Sequence, residues 1–347
     1  LKEIYIKQKK LSELPPVLSY LFDHYWEQKN YTLVQNILKD FDITGNCQAL
    51  TLIRGSLKNT ADFSTEYKMA LRGGALSSRD GKVALSGLSC DLFSGKEGLR
   101  VSGARFVFDK KNYTASLFLP KDPTSAGTLD LASRDLSLET AYRIREDRIQ
   151  IENARAKLPG ITAQFGGFFH RTQKPLLEIS GNTSLDLAQI LKTHASKNTR
   201  LSDLGLIGSL SGAFTFKGAW NEWTRSQISF NAKSGAVKFI KNFRLEDLSL
   251  GAQMDNGILD ILHLSAGAYD GRVGLKGWFD FNVPGIPFDT NFYVSGLDLR
   301  RLASELPLEN KKLAGNLMLQ SSLRGRLLDP GSFTGHGALS VKNGYLW

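Results

Sequence analysis

The chain has 347 residues, with 44 Lys and Arg against 34 Asp and Glu, a formal net charge of +10. Hydrophobic residues make up 41% and glycines number 33, which excludes a disordered chain and suits two or three ordinary domains or one repeat array. Basic residues are spread along the chain, only Lys7, Lys9 and Lys10 being bunched, so the basic face that nucleic acid requires is missing and no such partner is expected.

Leu1–Leu11 reads as a short strand or an arm. Helical spacing begins after Pro15-Pro16, with Leu18, Leu21, Phe22 and Tyr25 on one face, and a second helical patch covers Tyr31–Leu38. Residues 1–42 are therefore expected to form an arm and an amphipathic segment that caps a β core; resting on a membrane is the alternative.

From Thr44 onward the chain reads as strand and turn. Residues 43–128 form a partial β repeat, with a turn at Asp109–Asn112 leading into a strand at Tyr113–Leu119. Lys121–Gly127 (KDPTSAG) is a loop and a boundary. A unit at 129–238 follows, with strands at Arg148–Ala156, Ile161–Phe169 and Leu176–Ser184 and a short helical patch at Asp186–Lys192. A second unit at 239–347 reaches its helix at Leu299–Leu306.

The division rests on self-similarity. Gly45–Gly55, Gly208–Gly218 and Gly315–Gly325 share one glycine step, and Gly74, Gly235 and Gly344 close the second run of each copy. Asp135–Leu138 corresponds to Asp247–Leu250, Gly160–Phe169 to Gly271–Phe279, and Ser184–Leu187 to Gly296–Leu299, at an offset of roughly 110 residues. In the last copy Asp329-Pro330-Gly331 is expected to supply the turn.

The strands have one large apolar face. Phe165, Phe169, Phe214, Phe216, Ile228, Phe230, Val273, Leu275, Phe279, Phe288, Phe292, Val294, Leu317, Leu319 and Leu323 are expected to share it. The opposite positions mix Ser, Thr, Asn, Lys and Asp. Helical segments are too few and short to cover such a face, which leaves a sandwich, a closed barrel or a curled sheet with the apolar side inward. A pattern that grows by repetition without new covering elements favours the curled antiparallel sheet.

Catalytic and metal chemistry has no signature. His24, His170, His194, His263 and His336 lack ligand spacing, and no phosphate loop or nucleophile elbow is present, so neither enzyme activity nor a cofactor is expected. Asp255, Asp260 and Asp270 read as solvated turn residues, and Trp220, Trp223 and Trp278 as packing aromatics with sugar stacking as the alternative. Cys47 and Cys90, in neighbouring extended runs, are either a disulfide in an oxidising compartment or two small buried residues that never meet. No apolar run is long enough to span a bilayer. The chain starts at Leu1 and stops at Trp347 in mid-pattern, which suggests a piece of a longer protein.

The stretch GNLMLQSSLRGRLLDPGSFTGHGALSVKNGYL resembles the C-terminal signature of AsmA-like proteins, on Gly315, Gly325, Asp329, Pro330, Gly335, Gly337, Leu339 and Gly344. The preceding SGLDLRRLASEL is similar to the family's strand-to-helix segment, and the middle unit departs from the pattern at Trp220–Thr224. The resemblance covers about two thirds of the chain. It implies a taco-shaped β groove in the periplasm of a diderm bacterium, along which phospholipid acyl chains pass between membranes. It also implies inner- or outer-membrane protein partners and an inner-membrane anchor through a helix outside this stretch. The motif glycines are structural, so activity follows less directly than fold. Two alternatives remain: a scaffold for outer-membrane protein assembly, using exposed sheet edges, and an exported glycan-binding adhesin.

Overall fold

The computed structural model describes residues 4–10, 41–56, 59–78, 84–122, 124–145, 147–170, 176–194, 205–219, 222, 225–239, 243–305 and 313–346. The protein is mainly β. Nineteen strands and two short helices lie among the described residues, and the antiparallel sheet is open. The expected helical cap falls on residues outside those described.

The chain divides into two compact units, Leu1–Glu146 with Ile151–Arg155, and Asp147–Gln150 with Ala156–Trp347. The first contains β1 (Ile4–Lys10), β2 (Phe41–Ser56), β3 (Asn59–Ser78), β4 (Ala84–Ser94), β5 (Gly98–Phe108), β6 (Lys111–Pro120), β7 (Gly127–Ser133) and β8 (Ser137–Ile144). Each pairs antiparallel with the next. β9 (Arg148–Leu158) contributes residues to both units.

The second unit contains β10 (Ile161–His170), β11 (Leu176–Asp186), α1 (Leu187–His194), β12 (Ile207–Gly218), β13 (Gln227–Phe239), β14 (Phe243–Asp255) and β15 (Ile258–Ala268). It continues with β16 (Gly271–Asp280), β17 (Pro287–Asp298), α2 (Leu299–Glu305), β18 (Leu313–Arg326) and β19 (Asp329–Leu346). Consecutive strands pair antiparallel throughout.

Tight turns make this meander. Asp109-Lys110, Asn256-Gly257 and Tyr269-Asp270 all take positive φ, the geometry that matches the twist of the flanking strands. The predicted turn positions need correction. Asp329, Pro330 and Gly331 begin β19, and the turn itself is Leu327-Leu328; Gly208, Gly218, Gly315, Gly325 and Gly344, read as turn glycines, lie within β12, β18 and β19. Proline at the start of a strand forfeits no interior ladder bond, so the Asp-Pro pair is read equally well as a strand opening.

The expected boundaries at 42/43, 128/129 and 238/239 fall inside β2, β7 and β13. Pattern restarts do not interrupt the ladder, because β6 pairs with β7 across the Lys121–Gly127 loop and β13 with β14 just beyond Lys238. The glycines behind the pattern do have a shared geometric role. Gly45, Gly208 and Gly315 take φ of 137°, 143° and 106°, and the ladder register shifts beside each. At Gly315 a Cβ would lie 2.7 Å from the Cα of Gly344, so the two glycines let β18 and β19 approach at the bulge.

Both helices start the same way. Asp186 and Asp298 end a strand and cap the helix that follows. The Asp186 carboxylate accepts from Gln189 N (3.0 Å), and that of Asp298 accepts from Arg300 N and Arg301 N (2.8 and 3.2 Å). Their own amides donate to Gly160 O and Tyr269 O at hairpin turns (2.7 and 2.8 Å). Leu187, Leu299 and Leu302 then pack on a cluster built from Leu210, Ala232, Val237, Leu245, Leu248, Ala266, Val273, Val294 and Leu297.

Candidate apolar ligand face

Paired residues in an antiparallel ladder point to the same side of the sheet, so the register assigns every side chain of the second unit to a face. One row reads Phe165, Gly181, Phe214, Phe230, Ala252, Ile261, Gly277, Thr290, Leu323, Gly335 from β10 to β19. A second reads Ala163, Thr183, Gly212, Ala232, Leu250, Leu264, Leu275, Phe292, Ser321, Gly337. Between the first row and the strand ends, Phe216, Ile228, Met254, Leu259, Phe279 and Phe288 continue the pattern, and Phe169 pairs with Leu177. On the other side of the second row lie Val273, Val294, Leu319 and Leu339, with Leu317 paired to Leu297 and Val341.

All fifteen residues expected on the apolar face therefore lie on one face. No Asp, Glu, Lys, Arg or His interrupts these rows. Ten strands at about 4.8 Å spacing make the uncharged stripe about 43 Å long measured across the sheet.

Burial divides the face. Near the helices Leu210 (9% exposed), Val273 (5%), Val294 (7%) and Leu297 (3%) are covered. Towards the opposite strand ends the covering stops: Phe165, Phe169, Phe214, Phe216, Ile228 and Phe230 are half-buried, and Phe292 (37%) and Leu323 (38%) are exposed. Phe288, Met254 and Thr290 are exceptions, 5%, 7% and 7% exposed, Phe288 lying between the rings of Phe279 and Phe333 (centroids at 5.7 and 5.2 Å). The second unit has a single sheet among its described residues, and among them no second sheet stacks on these aromatics. Aromatic rings lean over glycines instead. Phe165 and Phe214 sit edge to face at 6.3 Å on either side of Gly181, where a Cβ would run into the Gln164 carbonyl and Phe165.

Sequence reasoning missed Met254, Leu259, Ile261, Leu264 and Leu339. The cause is local. The ladder shifts between Ile261 and Leu264, so β15 presents odd-numbered residues before exposed Leu262 and even-numbered ones after it. A strict two-residue alternation therefore breaks in the middle of this strand. Asp247, at φ 47°, marks a similar shift in β14.

The opposite face is polar, as its row Gly166, Ser180, Thr215, Ser229, Gln253, Asp260, Trp278, Asp289, Arg324, Thr334 shows. It bears a cavity of about 670 Å³ lined by Arg148, Phe168, His170, Glu178 and Lys217 among others. The Arg148 guanidinium stands 4.6 Å over the Phe168 ring, and Glu178 sits 3.4 Å from Lys217 and 3.6 Å from His170. Asp270 pairs with Arg301 (2.7 Å), a surface contact that ties α2 to the β15–β16 turn. Tyr269 donates to Glu305 at the end of α2, and burial, with a smaller effect from Glu305, holds its phenol above the ordinary range.

The first unit has its own apolar face, centred on Leu71, Cys90 and Ala104 with Met69, Leu88, Leu92, Val101 and Ala115 against them. Cys47 and Cys90 both register against Leu71, which separates their strands by two ladder spacings. That is about 10 Å, beyond the Cα span of a disulfide, so the two occupy one row without meeting. Tyr142 donates to Phe118 O (3.0 Å), and its burial pushes the phenol up to about 12. Among the described residues no cluster of His, Cys, Asp or Glu has metal-binding geometry, and no helix is long and apolar enough to cross a membrane. Trp220 and Trp223 lie outside the described residues, and Trp278, 40% exposed, is on the polar face.

No known protein family, curated protein or solved structure matches the chain.

Proposed function

We infer that the second unit holds phospholipid acyl chains on its apolar face and that the chain is part of an AsmA-like lipid conduit between the membranes of a diderm envelope. The observation that carries this reading is the uncharged stripe across ten strands, one sheet thick, with half-exposed phenylalanines on its open side. Such a surface left bare in water is costly, and buried acyl chain contributes about 0.8 kcal/mol per CH₂. A bilayer core is about 30 Å thick, so one leaflet's chain length is about 15 Å and the stripe can seat more than one chain. Transfer along it requires only continuity of the face; headgroups stay in water at the open side. The periplasmic location and the membrane-protein partners rest on the resemblance at Gly315–Gly344.

The test is lipid extraction and mass spectrometry of the chain purified in mild detergent, beside Phe214→Glu and Phe292→Glu. Stoichiometric phospholipid that is lost from both variants is the expected result. Lipid-free wild type, or equal lipid in all three proteins, overturns the reading. Loss of one outer-membrane barrel protein on deletion, with lipid distribution unchanged, would favour the assembly scaffold instead.

A further inference from the structure

The open end of the apolar face carries a second feature. The β18–β19 turn consists of Leu327 and Leu328, 47% and 72% exposed, and the neighbouring β16–β17 loop shows Phe281 (40%) and Val283 (39%). Leu327 N donates to Ile286 O (3.0 Å) and Leu328 N to Gly285 O (3.2 Å), so the two tips form one ledge. The ledge lies at the end of the apolar face where the rings of Phe279, Phe288 and Phe333 pack together, one ladder step beyond the Phe288–Gly325 pair.

We propose that this ledge inserts into the interfacial layer of a phospholipid bilayer, where the face would exchange acyl chains with the membrane. The proposal builds on the acyl-chain reading of that face. Two further observations select a bilayer as the occupant. Five backbone amides of the ledge are satisfied internally: besides the two bonds above, Phe281 N donates to Gly257 O (2.8 Å), Ile286 N to Val283 O (3.0 Å) and Asn282 N to the Asp280 carboxylate (2.9 Å). A loop that enters a low-dielectric layer must bring such satisfaction with it, whereas water would supply the bonds to an ordinary surface loop. Behind the apolar tips the ladder sets Arg326 against Asp329 and Arg324 against Asp289, charges of both signs at headgroup depth. That mixture fits a zwitterionic surface and gives no preference for an anionic one.

The experiment is flotation of the full chain with phosphatidylcholine vesicles, with bound phospholipid measured on the same preparations. Wild type is expected to float, and Leu327→Ser with Leu328→Ser to lower vesicle partitioning by about tenfold per leucine removed from the interface. Leu327→Trp with Leu328→Trp, which keeps the tips apolar, is expected to float like wild type, an outcome that a fold defect would not give. Wild type that fails to float, or serine variants that float unchanged, overturns the proposal. Dimers of wild type without vesicles that the serine variants abolish also overturn it, by making the ledge a contact between copies. The acyl-chain reading fails separately, if wild type carries no phospholipid; the ledge variants, whose face is intact, are expected to retain theirs.

Discussion

Phe292→Glu separates occupancy of the apolar face from its folding. Phe292 lies between Leu275 and Ser321 in the middle of an uncharged row and is already 37% exposed. Replacing it in the empty protein forfeits only part of a phenylalanine's burial, on the order of 1 kcal/mol, because the carboxylate can remain in water. With an acyl chain lying over the row, the same carboxylate must lose water without a partner, a penalty of several kcal/mol. Even about 3 kcal/mol of that lowers lipid affinity by roughly a hundredfold. Val294→Glu, one step along the same strand face but 7% exposed and packed in the helix-covered cluster, is expected to unfold the unit. The pair is read by phospholipid per chain and by thermal midpoint. Phe292→Glu should lose lipid with a small shift in midpoint, and acidification that protonates the new carboxyl should restore part of the lipid. Retention of stoichiometric lipid by folded Phe292→Glu at neutral pH would refute the reasoning.

Asp298→Ala removes a cap that serves two amides of α2, at a cost of about 1 kcal/mol and so about 2–4 °C in thermal midpoint for a unit of this size. Asp186→Ala, which removes one such bond from α1, should cost less, and a reversed order would show that the caps do not hold the helices on the cluster. Tyr142 predicts an alkaline limit on the first unit. Burial lifts its folded phenol from the ordinary 10.0 to about 12, so the neutral form is favoured by folding. The stabilisation is complete below 10 and lost as pH rises towards 12, on the order of 2 kcal/mol for a largely buried ring. Tyr142→Phe should flatten that decline in a chemical denaturation series at rising pH, while weakening the neutral protein by about 1 kcal/mol through the lost bond to Phe118 O.

The fold class was legible because alternation is a direct image of the pleat. Phe214 and Phe216, or Phe292 and Val294, can share a face only in an extended strand, and their two-residue spacing says so before any coordinates exist. The strand–Asp–helix junctions at Asp186 and Asp298 were legible for a similar reason, since a carboxylate before a short apolar patch is a local signal that local hydrogen bonding enforces. What escaped was set by neighbours. Nothing in ILDILHLSAGA says that Leu262 is the residue left unpaired; that follows from how β14 and β16 hold β15 on either side. The turn at Leu327-Leu328 was hidden behind a stronger sequence signal two residues later, and it is held by Gly285 and Ile286, far away in the chain.

These misses share a cause with consequences for function. A bulge that shifts parity once would normally send half a strand's apolar residues to the wrong face. In β15 the sequence shifts at the same place as the ladder, Leu259 and Ile261 giving way to Leu264 and Ala266, so the face stays apolar across the irregularity. The two exposed leucines of the β18–β19 turn lie at the same end of the strands as the uncovered rows. An apolar layer needed only for stability would have reason to end where α1 and α2 cover it. Here apolar residues persist through the uncovered rows, through a bulge and at a loop tip, a distribution that fits the proposed acyl-chain surface better than a folding core.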